Sequence, residues 1–255
     1  YTLWHTLSLH DALPISKEVL LRDFQIRPAS AGTEKHTGIY NKYGAFTRVD
    51  NVEINGEKPG SIINRFQYGI RSECWSSTFL KCNITFITAD GHGIYMGTGS
   101  VTEGAGQTLT AAHRNSALEC SVNHVDSTGK CFTIAADPDN GWNITSCTVS
   151  GCTIQNWDVA SSPYGGVGVY VNDGLALDTI ISGNYFEKLS VGIQVDSTTG
   201  TIISNSFYPN TMDTEVQLNG EEVDGRVHVL DNAGSNGLVI HTMSEGDSPF
   251  LTFMD

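Results

Sequence analysis

The sequence predicts an all-β fold, a single-stranded right-handed parallel β-helix (solenoid) with turns of about 23 residues and two loop insertions. Three observations carry that expectation. Seven short segments share one pattern, a small or polar residue, then an aliphatic or aromatic one, then alternation. Their second residues are Ile70, Ile94, Phe132, Val169, Ile193, Val216 and Leu238, at steps of 24, 38, 37, 24, 23 and 22. A second series falls between them: Cys82-Asn83-Ile84, Cys120-Ser121-Val122, Cys152-Thr153-Ile154, Asn184-Tyr185-Phe186 and Asn205-Ser206-Phe207. Finally, helix signals are weak, with only Ser16 to Arg22 and Thr108 to Glu119, where Ala and Leu recur, reading as candidate helices.

Taken in order along the chain, Tyr1 to Ser16 do not share the pattern. They lack a basic n-region, and His5, His10 and Asp11 interrupt any apolar run, which is not how a signal peptide reads. The stretch Leu7 to Ile15 resembles translated sequencing-adapter read-through, so residues 1–16 are expected to be a non-native leader on a fragment of a longer chain. Residues 17–255 read as one repeat domain. Its first lengthened step contains the Gly/Thr-rich stretch Gly97 to Asn115. The second contains Asp137-Pro138-Asp139-Asn140-Gly141-Trp142 and Trp157 to Tyr164.

Alternation assigns the faces, because successive strand side chains point to opposite sides. Ile84, Val122, Ile154, Phe186 and Phe207 should point inward. Their partners two residues earlier, Cys82, Cys120, Cys152, Asn184 and Asn205, should form a second inward column. Thiols pack there as small hydrophobes, and stacked amides can hydrogen-bond along the axis. Six cysteines without C-x-x-C spacing are not a zinc pattern, and a chain this long needs no disulfide framework. Free buried thiols are expected for Cys82, Cys120 and Cys152, with Cys74, Cys131 and Cys147 left open.

A net charge of −14 argues against nucleic acid or an anionic membrane as the main partner. No run approaches the roughly 20 apolar residues that a spanning helix needs, so membrane insertion is not expected. No cofactor or resident metal is expected: carboxylate clusters of the calcium type are not evident, and Asp137 and Asp139 sit in what is first of all a turn.

The run Phe46 to Gly56, followed by Phe66-Gln67-Tyr68-Gly69-Ile70 and Leu80-Lys81-Cys82-Asn83-Ile84, resembles the pectate-lyase-like β-helix superfamily. Within it, the likeness is to bacteriophage tailspike and polysaccharide-depolymerase proteins. It covers roughly Val19 to Ile240 and rests on structural motifs. The resemblance implies a homotrimer, located on a virion tail or secreted, with a bacterial surface polysaccharide as partner.

The outward face should then carry function. After the aliphatic residue, it reads Arg71, Tyr95, Thr133, Tyr170, Gln194 and Gln217; two residues further it reads Glu73, Gly97, Ala135, Asn172, Asp196, Asn219 and His241. The Gly before each aliphatic residue is expected to keep this face flat. Aromatic rings stack on sugar C–H surfaces while amides and carboxylates bond hydroxyls, so Arg71, Tyr95, Tyr170, Asn172 and Gln194 are candidate substrate-binding residues. The insertions add Trp142, Trp157 and Tyr164. An ordinary polar outer face is the competing reading, as is a capping role for the loop aromatics.

Glycoside hydrolysis uses two carboxyls, about 5–5.5 Å apart for retention and about 6.5–9.5 Å for inversion. Asp173 and Asp196, at nearly equivalent points of successive turns, are the first candidate pair, with Asp158 and Glu187 in reserve. Each is also readable as a turn residue. A lyase would need a base and a group to neutralise a uronate, roles open to Arg71, Tyr95 and His92. The acidic composition places hydrolase ahead of lyase, and a non-catalytic glycan-binding or structural β-helix remains the alternative.

Overall fold

The computed structural model describes residues 19–27, 36–58, 62–63, 65–98, 101–102, 108–109, 111–125, 128–136, 143–156, 164–172, 176–196, 198–209, 211–220, 227–230, 232–234 and 238–242. Among them every regular element is a β-strand, and 22 strands join one sheet. Neither candidate helix forms. The described part of the first lies in the strand Val19–Ile26, and the second is replaced by the short strands Thr108–Leu109, Ala111–His113 and Ser116–Leu118. Pairing with neighbouring strands overrides the local Ala and Leu content.

The strands stack in parallel and in register. One column pairs Ile39, Ile70, Ile94, Phe132, Val169, Ile193, Val216 and Leu238, each with the next. A second pairs Ile54, Ile84, Val122, Ile154, Phe186 and Phe207. A third pairs Val49, Phe79, Ala117, Val149, Ile181 and Ile202. Both series recognised in the sequence are therefore true register positions. The constant of about 23 residues is not: steps in the second column are 30, 38, 32, 32 and 21. The 37-residue step from Phe132 to Val169 contains two separate lengthenings, one before Asn143 and one before Val167, shared between the two turns of 32.

Corners are made by single left-handed residues, themselves stacked. Asp23, Asn51, Lys81, Glu119, Gly151, Gly183 and Ser204 all have φ between 52° and 65° and separate the third column from the second. Phe46, Ser76, Arg114, Ser146 and Asp178, with φ between 52° and 56°, make another corner. Such a conformation costs a non-glycine residue about 1 kcal/mol. In-register hydrogen bonds to the next level offset it, among them Lys81 N to Leu118 O at 3.0 Å and Glu119 N to Ser150 O at 3.0 Å.

Inward positions form one core. Ile54, Ile84, Val122, Ile154 and Phe186 are fully buried, Phe207 nearly so, and the Phe186 and Phe207 rings stack at 4.9 Å. Each such side chain contributes on the order of 1.5–3 kcal/mol by burial. Cys82, Cys120, Cys131, Cys147 and Cys152 are buried and free. The column that begins with cysteine continues through Asn184 and Asn205 to Asn232. Asn184 Nδ2 donates to Asn205 Oδ1 at 3.0 Å, and Asn205 Nδ2 to Asn232 Oδ1 at 2.9 Å.

The glycines before the aliphatic residues do not flatten the outer face; they face inward. A Cβ at Gly69 would lie 2.5 Å from Ile84 Cγ2, one at Gly93 2.7 Å from Val122, one at Gly168 2.8 Å from Phe186 and one at Gly192 2.7 Å from Phe207. The first-column backbone passes so close to the second-column side chains that only hydrogen fits.

Two stability changes are expected. Asn205→Ala strands the backbone N–H of Asn184 and the carbonyl of Ile181, so chemical denaturation should show a loss of about 3 kcal/mol. Gly69→Ala should cost about 1–3 kcal/mol, and combining it with Ile84→Ala should cost less than the sum of the two. Strict additivity would show that the two residues are not in contact.

Candidate functional site

The outer side of the first column carries an in-register line of side chains: Tyr40, Arg71, Tyr95, Thr133, Tyr170, Gln194 and Gln217. Tyr68, His92 and Lys130 run beside it at matching levels. On the other side stand Glu73, Gly97 and Ala135, then Asn172 and Asp196, whose backbone N–H groups donate to Ile134 and Val171 of the preceding levels. Neighbouring strands are 4.7–4.9 Å apart, so residues one level apart meet directly.

At one end of the line the Arg71 guanidinium is held among aromatic rings. Its Cζ lies 5.1, 4.9 and 5.7 Å from the ring centroids of Tyr40, Tyr68 and Tyr95. Its Nε donates to Glu73 Oε1 at 2.6 Å, and Tyr40 Oη donates to Glu73 Oε2 at 2.8 Å. Glu73 is only 6% exposed, so its charge requires these partners. Burial alone would lower the Arg71 pKa, but the Glu73 carboxylate outweighs it and the net shift is upward. His92 stacks on Tyr68 at 5.0 Å, meets Tyr95 edge to face at 5.3 Å, and pairs through Nδ1 with Thr133 Oγ1 at 2.7 Å. Tyr95 lies down across its own strand because Gly97 has no Cβ to collide with the ring.

Further along, Asp196 accepts three hydrogen bonds: from Tyr170 Oη at 2.8 Å, Gln194 Nε2 at 3.0 Å and Asn219 Nδ2 at 2.8 Å. Gln217 Nε2 extends this network to Asn219 Oδ1 at 2.9 Å. The Lys130 ammonium sits 5.5 Å from the Tyr170 ring centroid.

Of the residues singled out in the sequence, the structure joins Arg71 with Tyr95, and Tyr170 with Gln194 and Asp196. Asn172 lies in line between them, but its amide is used within the fold: Oδ1 accepts from Ala136 N at 2.8 Å and Nδ2 donates to Ala136 O at 3.1 Å. Thr133 is 1% exposed and presents almost nothing outward. Glu187 belongs to the second column, held by Gln155 Nε2 and Tyr185 Oη, each at 3.1 Å. The strand Leu189–Val195 separates it along the chain from Asp196. Tyr164 is half-buried. Trp142, Trp157, Asp158 and Asp173 lie outside the described residues, as do Asp137 and Asp139. Among the described residues no group of three or more His, Cys, Asp or Glu side chains is placed to hold a metal.

Sequence reasoning passed over Tyr40, Tyr68 and Lys130. Tyr40 was within reach, since Gly38-Ile39-Tyr40 repeats the Gly-Ile pattern one turn earlier; Tyr68 and His92 share the position two residues before the aliphatic one. Comparison with known proteins gives no match to any family model, curated protein or solved structure.

Burial, aided by the charges of Lys130 and Arg71, pushes the His92 pKa down to about 4, against the opposing pull of Asp90. The unfolded chain therefore binds this proton more tightly than the folded one. The neutral imidazole's stabilising share is full above about pH 6.5 and is lost as the pH falls to about 4, some 3 kcal/mol at most. The Tm should fall through that window, and His92→Gln should flatten the decline. An unchanged slope in the variant would show that the imidazole titrates as it does in the unfolded chain.

Proposed function

We propose that the stacked strands form a single-stranded right-handed parallel β-helix of the tailspike type, whose outer line of side chains binds and hydrolyses a bacterial surface polysaccharide. One observation carries this reading. On three strand levels before the buried Thr133 and three after it, aromatic rings and hydrogen-bonding amide or carboxylate groups stand in register on one outward face, with Glu73 and Asp196 held by hydrogen bonds from their neighbours. Pyranose rings offer flat C–H faces to the aromatics and hydroxyls to the amides, and groups held in place beforehand lose little entropy on binding.

Hydrolysis in this reading uses Asp196 with Asp173. The other carboxylate on the same face, Glu73, stands four levels from Asp196, roughly 19 Å, and cannot pair with it. Asp173, which follows Asn172 in the sequence, is the candidate for the second carboxyl. The tailspike reading also carries a homotrimer on a virion tail.

The contact between Arg71, His92 and Tyr95 favours a second reading, a polysaccharide lyase. His92 would be the base, and Tyr95 beside it would return a proton to the leaving oxygen. Burial lowers the His92 pKa to about 4 and so weakens it as a base, which places this reading second. Arg71 would neutralise the uronate only by sharing itself with Glu73.

The deciding experiment is a depolymerisation screen on bacterial capsule and O-antigen polysaccharides, with Asp173→Asn and Asp196→Asn alongside. New reducing ends without the absorbance of an unsaturated uronate, reduced at least about 100-fold in both variants, are the expected result. Unsaturated products that vanish in His92→Gln would establish the lyase instead. Binding without cleavage would leave a non-catalytic glycan-binding β-helix.

A further inference from the structure

The line of side chains is not uniform. Tyr40, Tyr68, Arg71, His92 and Tyr95 form one contiguous patch, closed internally by the Arg71–Glu73 ion pair. Tyr170, Gln194, Asp196, Gln217 and Asn219 form another, closed internally by the hydrogen bonds to Asp196 and Asn219. Between them, the level of Thr133 and Ala135 offers little: the two residues are 1% and 3% exposed. The larger groups around this level serve the patches on either side. His92 reaches across to bond Thr133, and Lys130 leans over the Tyr170 ring.

We propose that the two patches are separate subsites for one glycan strand running along the strand stack, and that together they select it by length. This inference rests on the glycan-binding reading above. From Arg71 to Gln194 is four strand steps, roughly 19 Å, and an extended pyranose chain advances by close to one strand spacing per sugar. About three sugars only bridge the facing edges at Tyr95 and Tyr170, whereas about five are needed to reach from Arg71 in one patch to Gln194 in the other. The patches cannot move towards a short ligand, because the levels between them are joined by continuous parallel hydrogen bonding. The second contact is intramolecular once the first is made, so affinity rises in a step rather than by equal increments per sugar. The subsites also differ in chemistry. The first stacks sugar faces on tyrosine rings, whereas the second bonds hydroxyls through the side chains of Gln194, Gln217 and Asp196.

Length-fractionated oligosaccharides of about two to twelve sugars, prepared from bacterial O-antigen and capsular polysaccharide, test this by calorimetry against the intact chain. The expected result is a step of about 100-fold or more in Kd near five sugars. Tyr68→Ala and Gln194→Ala should each remove the step while leaving the weak binding of short oligomers that the other patch supplies. Unchanged thermal melting of both variants would exclude a folding defect, and Tyr40→Phe with Gln217→Ala offers a milder pair if either melts early. Affinity that climbs smoothly with length, or is already full at two or three sugars, overturns the two-subsite proposal and leaves glycan binding intact. No binding at any length overturns both.

Discussion

Among the described residues, six levels of the stack return a short side chain to the same backbone carbonyl position. Cys82, Cys120 and Cys152 donate their thiols to the carbonyls of Val49, Phe79 and Ala117 at 3.6, 3.3 and 3.6 Å. The Asn184, Asn205 and Asn232 amides donate to the carbonyls of Val149, Ile181 and Ile202 at 3.0, 3.1 and 3.1 Å. These six acceptors are one register column, so thiol and amide do the same work at the inside of the same corner. Contact with Cys152 and burial push the Cys120 thiol up to about 12, so it keeps its proton. The preceding residue turns through the left-handed region and brings the next side chain inward against the previous level. The same corner carries the apolar Phe24 and Val52 in the first two levels and a short donor in those that follow.

This corner constraint fixes the levels, and the levels fix the outer face. Since the strands stay in register through Ile94, Phe132 and Val169, insertions of different length fall between columns without shifting a single outward residue. Loop closure costs little extra as a loop lengthens, so steps of 21 to 38 residues coexist in one stack. Thr133, Tyr170 and Gln194 follow steps of 38, 37 and 24 residues and still stand in one line. Positional accuracy on the face is therefore inherited from buried backbone hydrogen bonds rather than from the polar residues themselves.

That inheritance explains what was legible in the sequence. Ile70 to Leu238 and Cys82 to Asn205 could be aligned correctly because inward positions have narrow chemistry, and alternation exposes them. The turn length could not be read as a constant, since a loop leaves no periodic mark; only the second series reveals that the step before Val169 holds two lengthenings. Gly69, Gly93, Gly168 and Gly192 were assigned to the wrong side because strict alternation places them outward. In the structure the strand kinks so that Gly69 and Ile70 both face the core. The outer line was visible as a column, but its division was not: that Asn172 clamps Ala136, or that Glu73 neutralises Arg71, depends on rotamers with no sequence signature.

Glu73 and Asp196, the carboxylates placed on the face among the described residues, differ in their surroundings. Glu73 is balanced by a full positive charge at Arg71, so its end of the line is close to electrically neutral. Asp196 is held only by the dipoles of a phenol and two amides, and its negative charge is not cancelled. In the glycan-binding reading proposed above, on a chain of net charge −14, that charge would repel an anionic sugar and orient the hydroxyls of a neutral one. An acidic sugar unit, if the glycan has one, is better tolerated among Tyr40, Arg71 and Tyr95, where a guanidinium is present and can be shared. On that proposal the line would have a direction as well as a length, with the end that admits a charged sugar set by which carboxylate has a cation beside it.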